Sequence, residues 1–159
     1  MTLMTAETPP AADVLTLTRG FDAPRGGVFR AWTDPGRVAR WWGPHHFTNP
    51  VCDLDARPGG AIRIHMRDPA GGVHPLRGMF HEVEAPRRLA LTLIAEDDGG
   101  RILIETFMTA AFSERGAKST LALQIRVVQC APEFAEARAG MAEGWSQSLD
   151  RLTAYLRTA

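Results

Sequence analysis

Five histidines are the side chains in this sequence best suited to acid–base or metal chemistry: His45, His46, His65, His74 and His81. Imidazole titrates close to neutral pH and is the commonest metal ligand in proteins. No two of them have the i, i+4 spacing of a zinc protease helix, and no closely spaced cysteine pair flanks them. His65 and His74 lie on opposite arms of a predicted hairpin and can approach each other. Edge or surface positions are the simpler interpretation, so no metal site is predicted.

His45 and His46 follow the sequence Trp41-Trp42-Gly43-Pro44, which we expect to form a turn near the mouth of a cavity. At such a position an imidazole can act as a general base or donate a hydrogen bond to a ligand. The alternative is a solvated loop in which neither histidine has a chemical role. His46 is therefore a candidate site residue.

Nucleophilic catalysis and nucleotide binding find no support in the sequence. Cys52 and Cys130 lie far apart without an activating neighbour, so we expect two buried free thiols in a reducing compartment. No G-x-S-x-G motif marks a nucleophilic serine. The glycine pairs at 59–60, 71–72 and 99–100 do not join a strand to a helix as phosphate-binding loops do. The sequence therefore identifies no catalytic residue and implies no cofactor.

Arg63 and Glu105 are charged residues in the middle of predicted strands. They can form an ion pair across the sheet, and either would be a polar anchor for a ligand if it pointed inward. Because Arg63 alternates with Ile62 and Ile64, we expect it to face outward.

Composition limits the classes of partner. The chain of 159 residues carries 18 basic and 18 acidic residues and a formal net charge of zero. This balance, without a basic run, predicts neither a nucleic acid nor a membrane as partner. Hydrophobic residues make up 45% and charged residues 23%, which is ordinary for one globular domain. We expect a flexible N-terminal tail over residues 1–12 and a single domain over 13–159. Since no export signal is recognisable, we also expect a cytoplasmic location.

Hydrophobic periodicity predicts seven strands, six of them consecutive, and three helices. A first strand at 13–22 alternates, and Pro24 and Asp34-Pro35 then mark the starts of two short helices. The remaining strands are predicted at 47–56, 61–67, 73–84, 89–95, 102–112 and 120–128. Pro132 opens a final helix that we expect to reach Leu156, since apolar residues recur every three or four positions along it.

A strongly curved antiparallel sheet cannot lie flush along so long a helix, so side chains fill the gap or a cavity remains. Trp145 either packs in the core or stacks on a guest. Gly140 and Gly144 either bring helix and sheet together or leave room for a ligand. A mainly apolar lining favours a small hydrophobic or aromatic ligand. The candidate lining residues are Trp41, Trp42, His46, Phe47, Ile62, Ile64, Met66, Phe80, Leu91, Leu93, Ile104, Leu121, Leu123, Met141, Trp145 and Leu149.

Several short motifs occur in an order that resembles a known superfamily. They are Phe21-Asp22-Ala23-Pro24, Trp41-Trp42-Gly43-Pro44, Arg57-Pro58-Gly59-Gly60, Met66 before Asp68-Pro69-Ala70-Gly71, Pro86-Arg87-Arg88-Leu89, and Gly144-Trp145 before Ser148-Leu149-Asp150-Arg151-Leu152. With the predicted element order, they resemble the START-like (SRPBCC) superfamily, in its branch of heat-shock ATPase activator homologues. The resemblance implies an α+β helix-grip fold, in which a curved antiparallel sheet of six to seven strands wraps around a long C-terminal helix.

That resemblance implies fold more firmly than activity, because its members include apolar-ligand carriers, polyketide cyclases and a co-chaperone domain. The first hypothesis is a binding protein for a small hydrophobic molecule, as a monomer or homodimer and without catalysis. The second is a cyclase, dehydratase or hydrolase that uses a cavity histidine or acid. The third is a protein-interaction or co-chaperone-like module. The eukaryotic co-chaperone has an additional N-terminal domain for which this chain has no room, which argues against the third.

Overall fold

The structure is a computed structural model that describes residues 14–158. The predicted tail over residues 1–12 lies outside the described residues. The elements follow the predicted order, and most bounds differ from the prediction by one to three residues. They are β1 (Val14–Phe21), α1 (Arg25–Thr33), α2 (Pro35–Trp41), β2 (Thr48–Leu54), β3 (Ala61–Arg67), β4 (Val73–Glu84), β5 (Arg88–Glu96), β6 (Ile102–Arg115), β7 (Lys118–Cys130), a 3-10 turn (Pro132–Phe134), α3 (Ala135–Ala139) and α4 (Met141–Thr158).

One antiparallel sheet of seven strands forms the body of the described chain, in the order β1-β7-β6-β5-β4-β3-β2. Strands β2 to β7 lie side by side in chain order because short turns join them. Strand β1 pairs with β7 and forms one edge of the sheet. Side chains point alternately to the two faces of the sheet along each strand, and the alternation of apolar and polar residues decides which face of the sheet is buried. In β7, Leu121, Leu123 and Ile125 are almost fully buried, while the residues between them are exposed. Register shifts in the β4–β5, β5–β6 and β6–β7 pairs accompany the bending of the sheet.

The concave face of this sheet holds α1, α2 and α4, so the predicted α+β helix-grip fold is confirmed. Asp34 separates the two short helices. Its side chain accepts a hydrogen bond from Gly36 N at 3.0 Å, with Pro35 at the first helical position, as predicted. The faces of α1 and α2 that meet the sheet bury Val28, Phe29, Trp32, Val38 and Trp41.

The prediction of one continuous helix from Pro132 to Leu156 is wrong. A 3-10 turn and α3 precede Gly140, and α4 begins only at Met141. Glycine is a poor helix former because ordering its backbone is costly, and here it lies between the two segments. The 18 residues of α4 span about 27 Å. The apolar stripe that reaches the core therefore starts with Met141 and not with Phe134.

The ion pair that the sequence allows between Arg63 and Glu105 does not form, because β4 and β5 lie between the strands that carry them. Arg63 is exposed, as expected, with its guanidinium 3.6 Å from the Asp53 carboxylate. Glu105 accepts a hydrogen bond at 2.7 Å from Gln129, which faces it on β7.

Candidate functional site

All four tryptophans of the chain meet where α1, α2 and α4 converge. Trp32 and Trp41 have ring centroids 5.1 Å apart, and Trp41 and Trp42 have centroids 5.5 Å apart. Trp145 of α4 stacks on Trp32 with the two rings parallel and their centroids 5.9 Å apart. It also meets Trp42 edge-to-face at 5.2 Å. The two contacts of Trp145 are the stacked and T-shaped arrangements that aromatic pairs prefer, whereas Trp41 meets Trp32 and Trp42 with tilted rings.

Two of the buried indole N–H groups differ in their hydrogen bonding. Trp41 Nε1 donates to the carbonyl oxygen of Ala31 at 2.8 Å. Trp32 is only 3% exposed, yet its Nε1 has no hydrogen-bond partner among residues 14–158. A buried donor without an acceptor costs about 1–3 kcal/mol.

A cavity of about 20 Å³ lies beside Trp32, between the short helices and strands β2 to β5. That volume accommodates about one water molecule. Every side chain of its described lining is uncharged. The lining residues are Trp32, Val38, Trp42, Leu54, Ile62, Ile64, Phe80, Leu91 and Leu93.

Trp145 lies outside the cavity lining but contacts two residues that belong to it. It packs against Trp32 and Trp42, the two indoles of the lining, and is itself half-exposed. It lies in the first turns of α4, after Gly140 and beside Gly144. A Cβ on Gly144 would lie 3.7 Å from Pro44 Cγ, so this glycine faces the turn after α2 and not the sheet. Both functions that the sequence left open for Trp145, core packing and contact with a guest, are compatible with this position.

Arg151 fixes the turn that carries Trp42. Its Nη1 donates to the carbonyl oxygens of Trp42, Gly43 and Pro44 at 2.9–3.0 Å, and Nη2 to that of Arg40 at 3.4 Å. Arg40 lies in the last turn of α2 and Trp42 is its C-cap, and carbonyls at a helix end lack partners within the helix. Burial lowers the pKa of the Arg151 guanidinium, because loss of water disfavours its charged form. The contacts with the four carbonyl oxygens offset that cost.

Asn49 supports the same turn from β2. Its Nδ2 donates to the carbonyl oxygens of Ala39 at 3.2 Å and Trp42 at 2.9 Å. The Trp42 carbonyl therefore receives two donors, one from β2 and one from α4. The turn after α2 is thus tied to the sheet on one side and to the long helix on the other.

Part of the predicted lining surrounds the cavity: Trp42, Ile62, Ile64, Phe80, Leu91 and Leu93. Trp41, Leu121, Leu123 and Leu149 are buried elsewhere in the core. Met66, Met141 and Trp145 are partly buried against that core, and Phe47 and Ile104 are partly exposed. His46 is exposed in the loop before β2, with φ of 72°. The cavity thus gathers the central residues of β3, β4 and β5 and leaves out those of β6, β7 and α4.

Sequence analysis missed Trp32, Val38, Leu54, Asn49 and Arg151 as residues of this region. Trp32 and Val38 were assigned only to short helices. Their spacing in amphipathic helices placed them in the core, but nothing in the pattern showed which core side chains border a cavity. The position of Arg151 could have been noticed in the sequence, because its neighbours Leu149 and Leu152 belong to the apolar stripe of the helix. A cation beside such a stripe is partly removed from water and therefore needs hydrogen-bond acceptors from the protein.

The remaining titratable candidates lie outside the cavity. His74 contacts the Asp68 carboxylate at 2.8 Å in the β3–β4 hairpin, and His65 lies opposite Pro75. Within residues 14–158, no group of three or more potential ligand residues could hold a metal ion.

Cys52 and Cys130 are free but only half-buried, so the expectation of buried thiols is wrong. Burial raises the pKa of the Cys52 thiol to about 11, with Asp53 adding to the effect. No described helix is long and apolar enough to cross a membrane.

Comparison with solved structures shows the same fold in several bacterial proteins. A protein from Nitrosomonas europaea is 24% identical over 93% of this chain and 96% of its own, with a TM-score of 0.79. The AHSA1 protein from Silicibacter pomeroyi is 26% identical over 91% of this chain and 98% of its own, with a TM-score of 0.78. CalU16 from Micromonospora echinospora is 24% identical over 89% of this chain and 74% of its own, with a TM-score of 0.62.

No curated protein is similar in sequence to the chain. A family model does match it, over residues 22–157, which includes nearly all of the described elements. Its description is Activator of Hsp90 ATPase homolog 1-like protein, and it agrees with the branch that the sequence motifs predicted. The chain therefore belongs to the family of Activator of Hsp90 ATPase homolog 1-like proteins.

Proposed function

We propose that this protein binds a small apolar or aromatic molecule in the cavity between the sheet, the short helices and α4. The proposal is carried by one observation: a cavity lined only by aliphatic and aromatic side chains lies in the core between the sheet and the short helices. Packed cores leave few voids. An apolar lining of this kind is what a site for an apolar guest requires.

The cavity must enlarge to accept such a guest. A pocket for a small organic ligand has about 300 Å³ or more, and the closed cavity has about 20 Å³. Trp145 is the side chain whose displacement would open it, because it covers Trp32 and Trp42 and is already half-exposed. Gly140 directly precedes α4 and Gly144 lies in its first turn, and glycine is a poor helix former, so we expect this end of the helix to move most easily.

Binding without catalysis is favoured over an enzyme of the cyclase, dehydratase or hydrolase type. General acid–base catalysis needs a group that exchanges a proton within hydrogen-bond reach of the substrate. The described lining contains only aliphatic and aromatic side chains and no histidine or acid. His45 lies 4.0 Å from Asp150 on the exposed surface, where neither residue borders the cavity.

A protein-interaction module is also less favoured. Such a module would present a contiguous apolar patch on the outer face of the sheet. Of the large hydrophobic residues that are exposed, Met79 lies on β4 and Val128 on β7, with β5 and β6 between them. Val73 lies at the far end of β4, in the hairpin.

Thermal unfolding of the purified protein with a panel of naphthalenes, flavonoids, sterols and fatty acids tests the proposal. At a hundred times its dissociation constant, a ligand adds about 2.7 kcal/mol, which raises the Tm by about 5–10 °C for a domain of this size. Leu54→Phe should abolish the shift by filling the cavity. Leu76→Phe is the matched control: Leu76 is also half-buried against the core, on β4, but lies outside the lining.

Two results would contradict the proposal. One is the absence of a shift with every compound of the panel. The other is an equal shift in the Leu54→Phe and Leu76→Phe variants, which would place the bound compound elsewhere on the protein.

A further inference from the structure

A second and much larger depression lies at one end of the sheet. It has a volume of about 660 Å³ and is bordered by the end of β1 and by both strands of the β6–β7 hairpin. It shares no lining residue with the core cavity. Sites for small molecules have about 300–1,000 Å³, so this depression, the hairpin groove, already has the size of a binding site.

Small side chains leave the space of the hairpin groove open. The strand register places Gly20, Thr120 and Ser113 side by side on β1, β7 and β6. A Cβ on Gly20 would meet its nearest atom, the carbonyl oxygen of Ser119, at an ordinary 3.9 Å. A larger residue therefore fits the backbone at this position, and its absence leaves room in the groove. The hydroxyl-bearing side chains of Ser113, Ser119 and Thr120 border that room.

Two cations lie together at the same place. Arg115 and Lys118 are direct cross-strand partners at the end of the hairpin, and both border the groove. The two-residue turn between them begins with Gly116 at φ of 62°, as tight hairpin turns require, and it keeps the strand ends adjacent. Like charges directly opposite each other on two strands are destabilising. An anion bound between the two side chains would replace that repulsion with attraction.

The two carboxylates of the lining differ in what they contact. Glu114 accepts a hydrogen bond from the backbone N–H of Arg25 at 3.2 Å, and its Oε1 lies 4.0 Å from Arg25 Nε. Its charge is therefore compensated by the start of α1. Asp22 borders the groove without such a partner among residues 14–158. It can accept hydrogen bonds from the hydroxyl groups of a ligand, and it repels a second anionic group.

We propose that the hairpin groove binds a small phosphate monoester that carries hydroxyl groups, as a sugar phosphate does. Arg115 and Lys118 bind the phosphate, since guanidinium and ammonium groups both form charge-assisted hydrogen bonds with it. The hydroxyl groups of the lining donate to its remaining oxygens, and Asp22 accepts from the hydroxyl groups of the ester. This site is independent of the apolar cavity.

Glucose 6-phosphate, glucose and inorganic phosphate are the probes for isothermal titration calorimetry at low ionic strength. Glucose lacks the group that the two cations bind, and inorganic phosphate lacks the sugar hydroxyl groups that Asp22 binds. We therefore expect glucose 6-phosphate to bind at least tenfold more tightly than either. Its affinity should fall as salt is added, because the charges of the groove are exposed to solvent and are screened.

A double variant, Arg115→Gln with Lys118→Gln, should weaken glucose 6-phosphate binding at least tenfold. The matched control is Arg30→Gln with Arg67→Gln, which removes two exposed cations outside the groove and changes the net charge equally. It should change the affinity by less than about twofold. Gly20→Val leaves the charge unaltered and should also weaken binding, because its side chain obstructs the groove. On the wild-type protein, the probe should shift the backbone amide resonances of residues 20–22 and 113–120.

Three results would refute the site. They are equal binding of glucose 6-phosphate and inorganic phosphate, equal losses in the two double variants, and amide shifts that lie outside the hairpin groove. The first would remove the function of Asp22, and the other two would mean attraction by overall charge or binding elsewhere. None of them bears on the apolar cavity, which the thermal-shift panel tests separately.

Discussion

The contacts of Arg151 with the Trp42–Pro44 turn allow a direct test of what holds the site together. Arg151→Met keeps the aliphatic stem and removes the guanidinium. The side chain makes four contacts, but three share the hydrogens of Nη1 and the fourth is long at 3.4 Å. The set is therefore worth about two good bonds from a charged donor. At the low end of about 1.5 kcal/mol each, because Arg151 is half-exposed, the loss comes to about 3 kcal/mol.

Urea unfolding of the wild-type and variant proteins measures this loss. A decrease of about 3 kcal/mol in the free energy of unfolding corresponds to about 6–12 °C in Tm for a domain of this length. The control is Arg157→Met, an exposed arginine near the end of the same helix. It should change stability by at most about 0.5 kcal/mol. Arg151→Lys should recover only part of the loss, because an ammonium cannot match the fork of a guanidinium.

Equal stability of the Arg151→Met and Arg157→Met variants, with unchanged dependence on urea, would refute the reasoning. It would mean that water replaces the guanidinium at the turn carbonyls without loss. Full recovery in Arg151→Lys would refute the geometric part alone, since any positive charge would then suffice.

Three further predictions concern single residues. The Cys52 thiol should react with a disulfide reagent at pH 8 about a hundredfold more slowly than an unfolded thiol, because its pKa of about 11 lies about two units above the usual 9.0; equal rates would contradict this burial. The hydrogen bond from His74, with backbone donors of the loop, lowers the pKa of Asp68 below 3.8. Its contribution to stability is therefore present above pH 3.8 and lost as the pH falls through the lowered value, so Asp68→Asn should flatten that part of the stability curve. Gly60→Ala should lower the free energy of unfolding by about 3 kcal/mol, because the added Cβ would collide with a backbone carbonyl oxygen. Gly99→Ala has space for a Cβ and should lower it by less than about 0.5 kcal/mol. Chemical denaturation of both variants tests this difference, and equal losses would contradict it.

The strands could be predicted from sequence because alternation and turn residues reinforce each other along the chain. In β3, Ile62 and Ile64 are buried while Ala61 and Arg63 are exposed, and glycine-containing turns flank the strand on both sides. The start of the long helix α4 could not be predicted from the same kind of pattern. Apolar residues continue at helical spacing through Phe134 and Ala137. The helix α4 nevertheless begins at Met141, because packing of the preceding segment is too weak to offset the cost of a helical Gly140.

The candidate site was predictable only in part, because a cavity is a property of contacts between elements. Period-two alternation identified the inward side chains of β3 to β5, and all of these except Met66 line the cavity. It could not show that Ile104 and Leu123, with the same pattern, lie away from it. The hydrogen-bonding difference between Trp32 and Trp41 is also absent from the sequence, since it depends on whether one carbonyl oxygen happens to lie within reach.

The two ends of α4 have different functions at this site. Leu149 and Leu152 are fully buried, and Arg151 between them holds the turn that carries Trp42. Trp145 lies six positions before Arg151, about 240° around the helix, so it can leave Trp32 without disturbing those contacts. If the protein binds a guest as proposed, we therefore expect opening of the cavity to be confined to the first turns of α4. On that proposal, the wall formed by Trp42 stays in place while the cover formed by Trp145 moves.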